Sequence, residues 1–370
     1  MRTQAAVLWE YGGDWQVEEL ELDDPQKGEV LVRLAASGLC HSDEHVRVGD
    51  LPMEAFPIIG GHEGAGVVEK VGPDVDGLAP GDHVVLSFIP ACGRCASCAT
   101  GNQNLCDKGA GIQVGLQQDG TARHHVRGQD ARLMCMVGTF SPYTLVNQDS
   151  VVKIDDDIPL DKAALVGCGV TTGWGTAVYG ARVAVGDTVV VLGVGGVGAN
   201  AVQGARIAGA SHIVAVDPSA YNRDQAKTFG ATHTAASADE ARDLLADVTR
   251  GRMANSCIIT VGVNNGTVVG DAISLVGKLG TVAMTSLGPV TDADVTLPMF
   301  EVTAFRKSLV GCLFGNANPR YDIPRLLELY RQGDLLLDEL ITGTYSLDEI
   351  NKGYDDMRDH RTIRGLIRYD

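Results

Sequence analysis

Four cysteines fall within one short segment, Cys92-x2-Cys95-x2-Cys98-x7-Cys106. Such close spacing lets a single loop wrap one ion, and four thiolates close a tetrahedral shell to water. That is the chemistry of a structural zinc site. Iron is a formal rival for four sulfurs, but zinc is the usual occupant of closed sites of this kind. A pair of disulfides is disfavoured where thiols stay reduced.

A second set of candidate ligands is dispersed. Cys40 stands in Gly38-Leu39-Cys40-His41-Ser42-Asp43-Glu44-His45, His62 in Gly60-Gly61-His62-Glu63, and Cys168 between Gly167 and Gly169. Taken singly, each has an ordinary reading, because buried cysteines commonly serve packing and a lone histidine is often a satisfied core residue. Together, two Cys and one His form the ligand set of a catalytic zinc that keeps a fourth position for water or substrate. Spacing alone does not bring them together, so both readings stand. Cys257 and Cys312 fall in expected strands and read as core packing, while Cys135 has no assignment.

The third group is Gly193-Val194-Gly195-Gly196-Val197-Gly198, a G-x-G-x-x-G run. It follows a continuous apolar stretch, Thr188–Leu192, and opens a helical pattern that continues through Ile207. In that context the first glycine permits a tight turn, the second admits a pyrophosphate, and the third lets helix and strand pack closely. The helix N-terminus then faces the phosphates. Asp217 ends the next apolar strand, 19 residues after the last glycine. A carboxylate there accepts ribose hydroxyls and repels a 2′-phosphate, which favours NAD over NADP. Arg223 lies nearby and pulls the other way, since an arginine accommodates that phosphate.

Two kinds of architecture must position these groups. Up to about Pro159, short β-rich runs such as Glu29–Ala35, Gly66–Val71 and His83–Phe88 alternate with Gly/Pro turns, which predicts an irregular β domain. Cys92 to Cys135 shows little periodicity and reads as a long loop. From about Val170 the pattern changes to buried strands separated by helices: Thr188–Leu192, Ile213–Asp217, Cys257–Val261, Gly280–Met284 and Leu309–Leu313. That alternation predicts a doubly wound parallel α/β sheet. Two amphipathic helices are expected near the end, around Ile323–Gln332 and Leu347–Arg358.

Composition narrows the class further. A chain of 370 residues fits two domains, and 45% hydrophobic with 21% charged residues is a globular balance. The net charge of −17 argues against a protein that must displace counterions from nucleic acid. Nine cysteines, an odd count, do not make a full disulfide framework. Met1–Leu20 lacks the apolar core of a signal peptide. The uncharged stretches Ala163–Ala181 and Thr188–Ala205 are too rich in Gly and polar residues to read as membrane spans. A cytoplasmic location is the expectation.

With these residues in view, the chain resembles the zinc-containing medium-chain alcohol dehydrogenases nearly end to end. The resemblance is carried by Gly61-His62-Glu63-x2-Gly66, the four-Cys loop, and Gly167-Cys168-Gly169 with Thr171-Thr172-Gly173. It continues in Gly193–Gly198 with Asp217 and in Thr362-Ile363-Arg364-Gly365. Three stretches point more narrowly to the actinobacterial nicotinoprotein, or N,N-dimethyl-4-nitrosoaniline-dependent, branch. They are Cys40–His45, Phe88–Gly93 and Phe314-Gly315-Asn316-Ala317-Asn318-Pro319.

The resemblance implies a GroES-like catalytic domain over 1–169 and 314–370, with a Rossmann NAD-binding domain inserted over 170–313. It implies a catalytic zinc on Cys40, His62 and Cys168, and a structural zinc on Cys92, Cys95, Cys98 and Cys106. Asp43 would orient His62, and Glu63 would lie behind the metal. Ser42 would accept the alcohol proton and pass it by way of the cofactor ribose to His45 and water. His41 and Arg364 would meet the pyrophosphate, Thr172 and Val197 would press on the nicotinamide, and Phe88 would line the alcohol pocket. NAD would be held as a prosthetic group, reoxidised by a second acceptor such as mycofactocin, in a homodimer or homotetramer. Thiol-adduct formaldehyde dehydrogenases of the same superfamily carry an arginine soon after the fourth loop cysteine. Here the stretch is Asp107-Lys108-Gly109-Ala110, and a lysine is a poor replacement for a bidentate fork. Plain alcohols and aldehydes are therefore expected ahead of such adducts. A silent zinc- and NAD-binding structural protein is the non-enzymatic alternative.

Overall fold

The computed structural model describes residues 1–369, which divide into two compact units, Met1–Cys168 with Asn318 onward, and Gly169–Ala317. The breaks lie one residue before and four residues after the places expected from the sequence. The later break has a packing reason. Gly315 adopts φ +64 and presses its backbone on the Gly169–Gly175 helix, where a Cβ at Gly175 would come within 2.6 Å of the Gly315 carbonyl. The segment up to Ala317 is therefore held by the second unit.

The first unit is built from two sheets. The longer one runs in the order Val151–Lys153, His83–Leu86, Gly64–Val71, Glu29–Gly38, Arg364–Arg368, Ile341–Tyr345, and Tyr143–Asn147 also pairs with Glu29–Gly38. Glu29–Gly38 is the central strand, buried along most of its length, with Val30, Val32 and Leu34 in the core. Gly38 ends it beside Cys40, and Gly64 opens the partner strand just after His62 and Glu63. The C-terminal strand pairs Leu366 with Gly38, which sets Arg364 against the same strand end. One sheet end thus collects Cys40, His62, Glu63 and Arg364.

The expected loop between Cys92 and Cys135 contains short elements: a helical turn at Ala96–Ala99, 3₁₀ turns at Gln103–Leu105 and Asp107–Gly111, and strands at His124–Val126, Gln129–Asp130 and Arg132–Leu133. None is long enough to produce a detectable sequence period.

The second unit is one parallel sheet in the order His233–Ala235, His212–Val216, Thr188–Leu192, Ala254–Ile259, Val276–Met284, Ser308–Gly311. In chain order this is 3-2-1-4-5-6, the doubly wound Rossmann arrangement. Thr188–Leu192 is buried throughout, as a parallel strand covered on both faces must be. Cys257 lies in the neighbouring strand with no exposed surface. No helix among the described residues is long and apolar enough to cross a membrane.

Candidate functional site

The structure brings Cys40, His62 and Cys168 together. Their ligand atoms, with a carboxylate oxygen of Glu63, all lie within 4.8 Å of one another, and all four residues are buried. Cys40 sits immediately before the helix His41–Val48, in extended conformation. His62 follows Gly61, whose φ of +84 and tight approach to Phe140 only a glycine allows. Asp43, fully buried on that helix, accepts a hydrogen bond from the Gly61 amide at 2.8 Å. Its other carboxylate oxygen lies 3.2 Å from His62 Nδ1. The ring is thereby oriented with Nε2 as its remaining ligand atom.

The electrostatics fit a cation at this point. The Cys168 thiol, hydrogen-bonded to Cys40, holds the Cys40 thiol well below the usual cysteine range, despite burial. The reciprocal bond to Cys40 and burial push Cys168 well above that range. Burial opposes a charge on His62, but Asp43 and Cys40 outweigh it and raise that histidine. Two thiols and an imidazole crowded out of water in this way share protons among themselves. A divalent ion relieves the crowding by letting both sulfurs ionise and the imidazole stay neutral. This donor set, soft sulfur with one nitrogen, suits zinc.

Glu63 is more than a bystander. Its carboxylate pairs with Arg364, which also donates to the Leu39 carbonyl at 3.1 Å. Burial pushes the Glu63 carboxyl up, against the pull of Arg364. The Arg364 guanidinium is held protonated by Glu63 in spite of its own burial. The chain sequence gave no sign of this pairing, because 301 residues separate the partners. Phe88 lies two residues past the strand His83–Leu86, after Ser87 Oγ bonds the Ile89 carbonyl and turns the chain. Its ring meets the His62 ring edge-on at a centroid distance of 5.6 Å. Ser42 Oγ stands 3.8 Å from Cys40 Sγ. His45 is buried, with Nδ1 3.0 Å from Asp50 Oδ2, and the His41 ring packs against it at 5.0 Å. Cys135 is buried in the turn Met134–Met136, and burial pushes its thiol up to about 12, so it stays neutral.

The four-Cys loop also closes on itself. Cys92, Cys95, Cys98 and Cys106 present sulfurs within 4.8 Å of one another. Amide groups point at them: Cys95 N–H to Cys92 Sγ and Cys98 N–H to Cys95 Sγ, each at 3.4 Å. Backbone N–H donation from Asp107 and Cys98 draws the Cys95 thiol down to about 6. Lys108, just beyond the loop, is occupied by a pair with Asp149, which Arg320 also contacts at 3.3 Å.

In the second unit the glycines divide their tasks. Gly193 takes φ +84, and a Cβ there would come within 2.7 Å of Val261. A Cβ on Gly198 would come within 2.0 Å of the Gly193 carbonyl. Around Gly195, by contrast, no described residue other than its chain neighbours lies within 4 Å of a Cβ position. No packing demands a glycine there, and the open space is what a close-approaching pyrophosphate requires. Gly196 and Val197 open the helix Gly196–Ile207, which carries no acidic residue in its first turn. Gly173 packs against the Val197 carbonyl, placing Thr172 beside that turn. Asp217 Oδ2 accepts from the Val194 amide at 2.8 Å and from Asn222 at 3.1 Å, and Oδ1 from Ser219 at 2.8 Å. Arg223 turns back, donating to the carbonyls of Asp217 at 2.7 Å and Pro218 at 2.9 Å.

Comparison with known proteins agrees with this geometry. Residues 26–156 match the alcohol dehydrogenase GroES-like domain family, and residues 196–332 the zinc-binding dehydrogenase family. Fold and site together define a zinc-containing medium-chain alcohol dehydrogenase, and the chain belongs to that family. It is 54% identical, over 100% of its length and 99% of the relative's, to the NDMA-dependent alcohol dehydrogenase of Amycolatopsis methanolica. To alcohol dehydrogenase B of Mycobacterium tuberculosis it is 50% identical, with 100% and 99% coverage. The crystal structure of benzyl alcohol dehydrogenase from Acinetobacter calcoaceticus superposes with a TM-score of 0.93 at 30% identity, covering all of both chains. The protein is thus an enzyme, a zinc-dependent alcohol dehydrogenase acting on small-molecule alcohols or aldehydes.

Proposed function

We propose that the enzyme oxidises primary or secondary alcohols with two zinc ions per chain, and that its NAD stays bound between turnovers and is reoxidised in place by a second substrate. The observation that carries the reading is the buried convergence of Cys40, His62 and Cys168, three ligands whose family chemistry leaves a position for substrate. Zinc held there would supply Lewis acidity toward the alcohol oxygen, and a bound NAD would supply the hydride acceptor.

The chain's own residues do the rest. Asp43 keeps His62 in the tautomer that ligates, and the Glu63–Arg364 pair backs the ligands with a fixed charge arrangement. Ser42 offers a hydroxyl that both accepts and donates a proton, and His45 releases that proton to water. Phe88 presents an apolar wall beside His62 for the alcohol's carbon skeleton. The family resemblance assigns His41, Arg364, Thr172, Val197, the glycine turn, Asp217 and Arg223 to cofactor binding. Asp217, held by three donors, favours the ribose diol of NAD.

Retention of NAD is supported by full-length similarity to an enzyme named for dependence on NDMA, an artificial electron acceptor. A redox cofactor such as mycofactocin is our reading of the acceptor in the cell, and the cytoplasm our reading of the compartment. A homodimer or homotetramer is supported by the strand Ser308–Gly311. It leaves one sheet edge open, with Leu309, Leu313, Met299 and Phe300 exposed, a surface that a second copy would cover. The thiol-adduct reading is weakened by the commitment of Lys108 to Asp149.

The test is to denature freshly purified protein, measure zinc by elemental analysis, and assay the supernatant for NAD(H). Two zinc and about one NAD(H) per chain, with turnover of alcohol and NDMA without added NAD, is the expected result. One zinc per chain would instead indicate the silent structural protein. Absence of NAD(H), with turnover on added NAD alone, would remove the prosthetic-cofactor reading.

A further inference from the structure

The helix His41–Val48 ends at Gly49, which takes φ +88, a left-handed conformation that reverses the chain. The Leu51 amide then donates to the His45 carbonyl at 3.1 Å. This turn folds Asp50 back along the helix, so that its Oδ2 stands 3.0 Å from Nδ1 of His45. The two side chains differ in exposure: His45 is 4% exposed and Asp50 is 28% exposed. An otherwise enclosed imidazole therefore meets a carboxylate that reaches water.

We propose that Asp50 is a positioning residue for proton release, holding His45 with its Nδ1–H on the carboxylate so that Nε2 accepts the proton leaving the alcohol. This inference rests on the reading of His45 as the group that discharges that proton. An ionised carboxylate only accepts hydrogen bonds, so the shared hydrogen belongs to Nδ1, and the lone pair of the neutral ring is at Nε2. One proton arrives at Nε2, the imidazolium forms beside the negative Asp50, and one proton leaves to water. The pair returns to a neutral ring and an ionised carboxylate. His41 packs against His45 as a second imidazole. Glu44 is held by Arg47 and Arg358.

The experiment follows the first turnover of alcohol oxidation at 340 nm by stopped flow across pH, in the holoenzyme and its variants. Replacing Asp50→Asn removes the charge while keeping the shape. Expected is about a tenfold loss in rate on the plateau, with a pH profile that differs from that of the wild type. Alcohol KM should stay within about twofold and zinc content unchanged, and Asp50→Glu should restore part of the rate. His45→Gln should abolish the acid limb of the wild-type profile. If Asp50→Asn matches the wild-type profile while His45→Gln loses its limb, the role of Asp50 is overturned and that of His45 survives. If His45→Gln itself matches wild type, the underlying reading falls as well. Nitrogen NMR of the wild-type protein labelled at histidine is independent of any variant. The Nδ1–H tautomer of His45 is expected, and the Nε2–H tautomer would overturn the proposal.

Discussion

The chain carries two candidate metal centres made in opposite ways. The four-Cys loop takes all its ligands from Cys92–Cys106, is partly exposed, and is ordered by its own amide groups. The Cys40–His62–Cys168 centre takes its ligands from three separate segments, is buried, and leans on Asp43, Glu63 and Arg364. A local site depends on its metal for its shape. A dispersed site is shaped by the sheet end that assembles it, and can support a reactive ion with an open position. The two should therefore fail differently.

The largest expected effect is at the dispersed centre. His62→Ala or Cys40→Ser should reduce turnover by on the order of a thousand-fold, the weight of several kcal/mol of lost Lewis-acid stabilisation. Zinc should fall from two per chain to one, with thermal unfolding little changed. Cys95→Ala should also remove one zinc. Its main cost should be stability, because a structural ion contributes folding free energy directly. Elemental analysis, turnover and calorimetry on both variants separate the cases. Equal losses of activity and stability in both would erase the distinction.

Next come the charge pairs behind each centre. Arg364→Ala leaves Glu63 buried without its cation, a change of about 3–5 kcal/mol in unfolding free energy. Lys108→Ala, beside the four-Cys loop, leaves Asp149 still in contact with Arg320 and more open to water. That change should cost about 1 kcal/mol or less. Urea unfolding of both variants gives the ratio.

Burial also sets a pH dependence away from both centres. His124 is enclosed in the strand His124–Val126 and receives the Leu145 amide at 3.3 Å on Nε2, so it must stay neutral. Burial, with the charges of His125 and Arg123, draws it down to about 3. A histidine lowered on folding stabilises the neutral form. Its contribution is complete above the unfolded value near 6.5 and is lost as pH falls from there toward 3, where the unfolded chain binds the proton and the folded chain does not. At pH 5 the loss is about 2 kcal/mol. His124→Gln should flatten the fall in melting temperature between pH 7 and 5. An unchanged slope would place the acid sensitivity elsewhere.

The same contrast decides what could be read from the sequence. The Rossmann strands were legible because parallel strands buried on both faces leave unbroken apolar runs, as Thr188–Leu192 does. The four-Cys loop was legible because its ligands are neighbours in sequence. Convergence of Cys40, His62 and Cys168 was not, since no local period records which strand ends meet; only resemblance pointed there. The Glu63–Arg364 pair and the Asp50 contact with His45 were missed for the same reason. Each depends on a partner brought in by the C-terminal strand or by a left-handed Gly49, and neither leaves a pattern along the chain.

The smallest effect is expected where the sequence offered conflicting signals, at the adenosine ribose. Asp217 and Arg223 argue for NAD and for NADP respectively, yet their surroundings differ. The Asp217 carboxylate is fixed at the end of its strand by the Val194 and Ser219 amides and by Asn222. Arg223 directs Nη1 onto two backbone carbonyls, which spends part of its donor capacity on the turn itself. Arg223→Ala should therefore change the NAD-to-NADP binding preference by no more than about twofold, the scale of an ordinary surface substitution. Asp217→Ala should change it by about tenfold or more, because it removes like-charge repulsion at short range. Competition of the two dinucleotides for protein stripped of cofactor measures both ratios. A larger shift for Arg223 than for Asp217 would mean that the arginine, rather than the buried carboxylate, selects the cofactor.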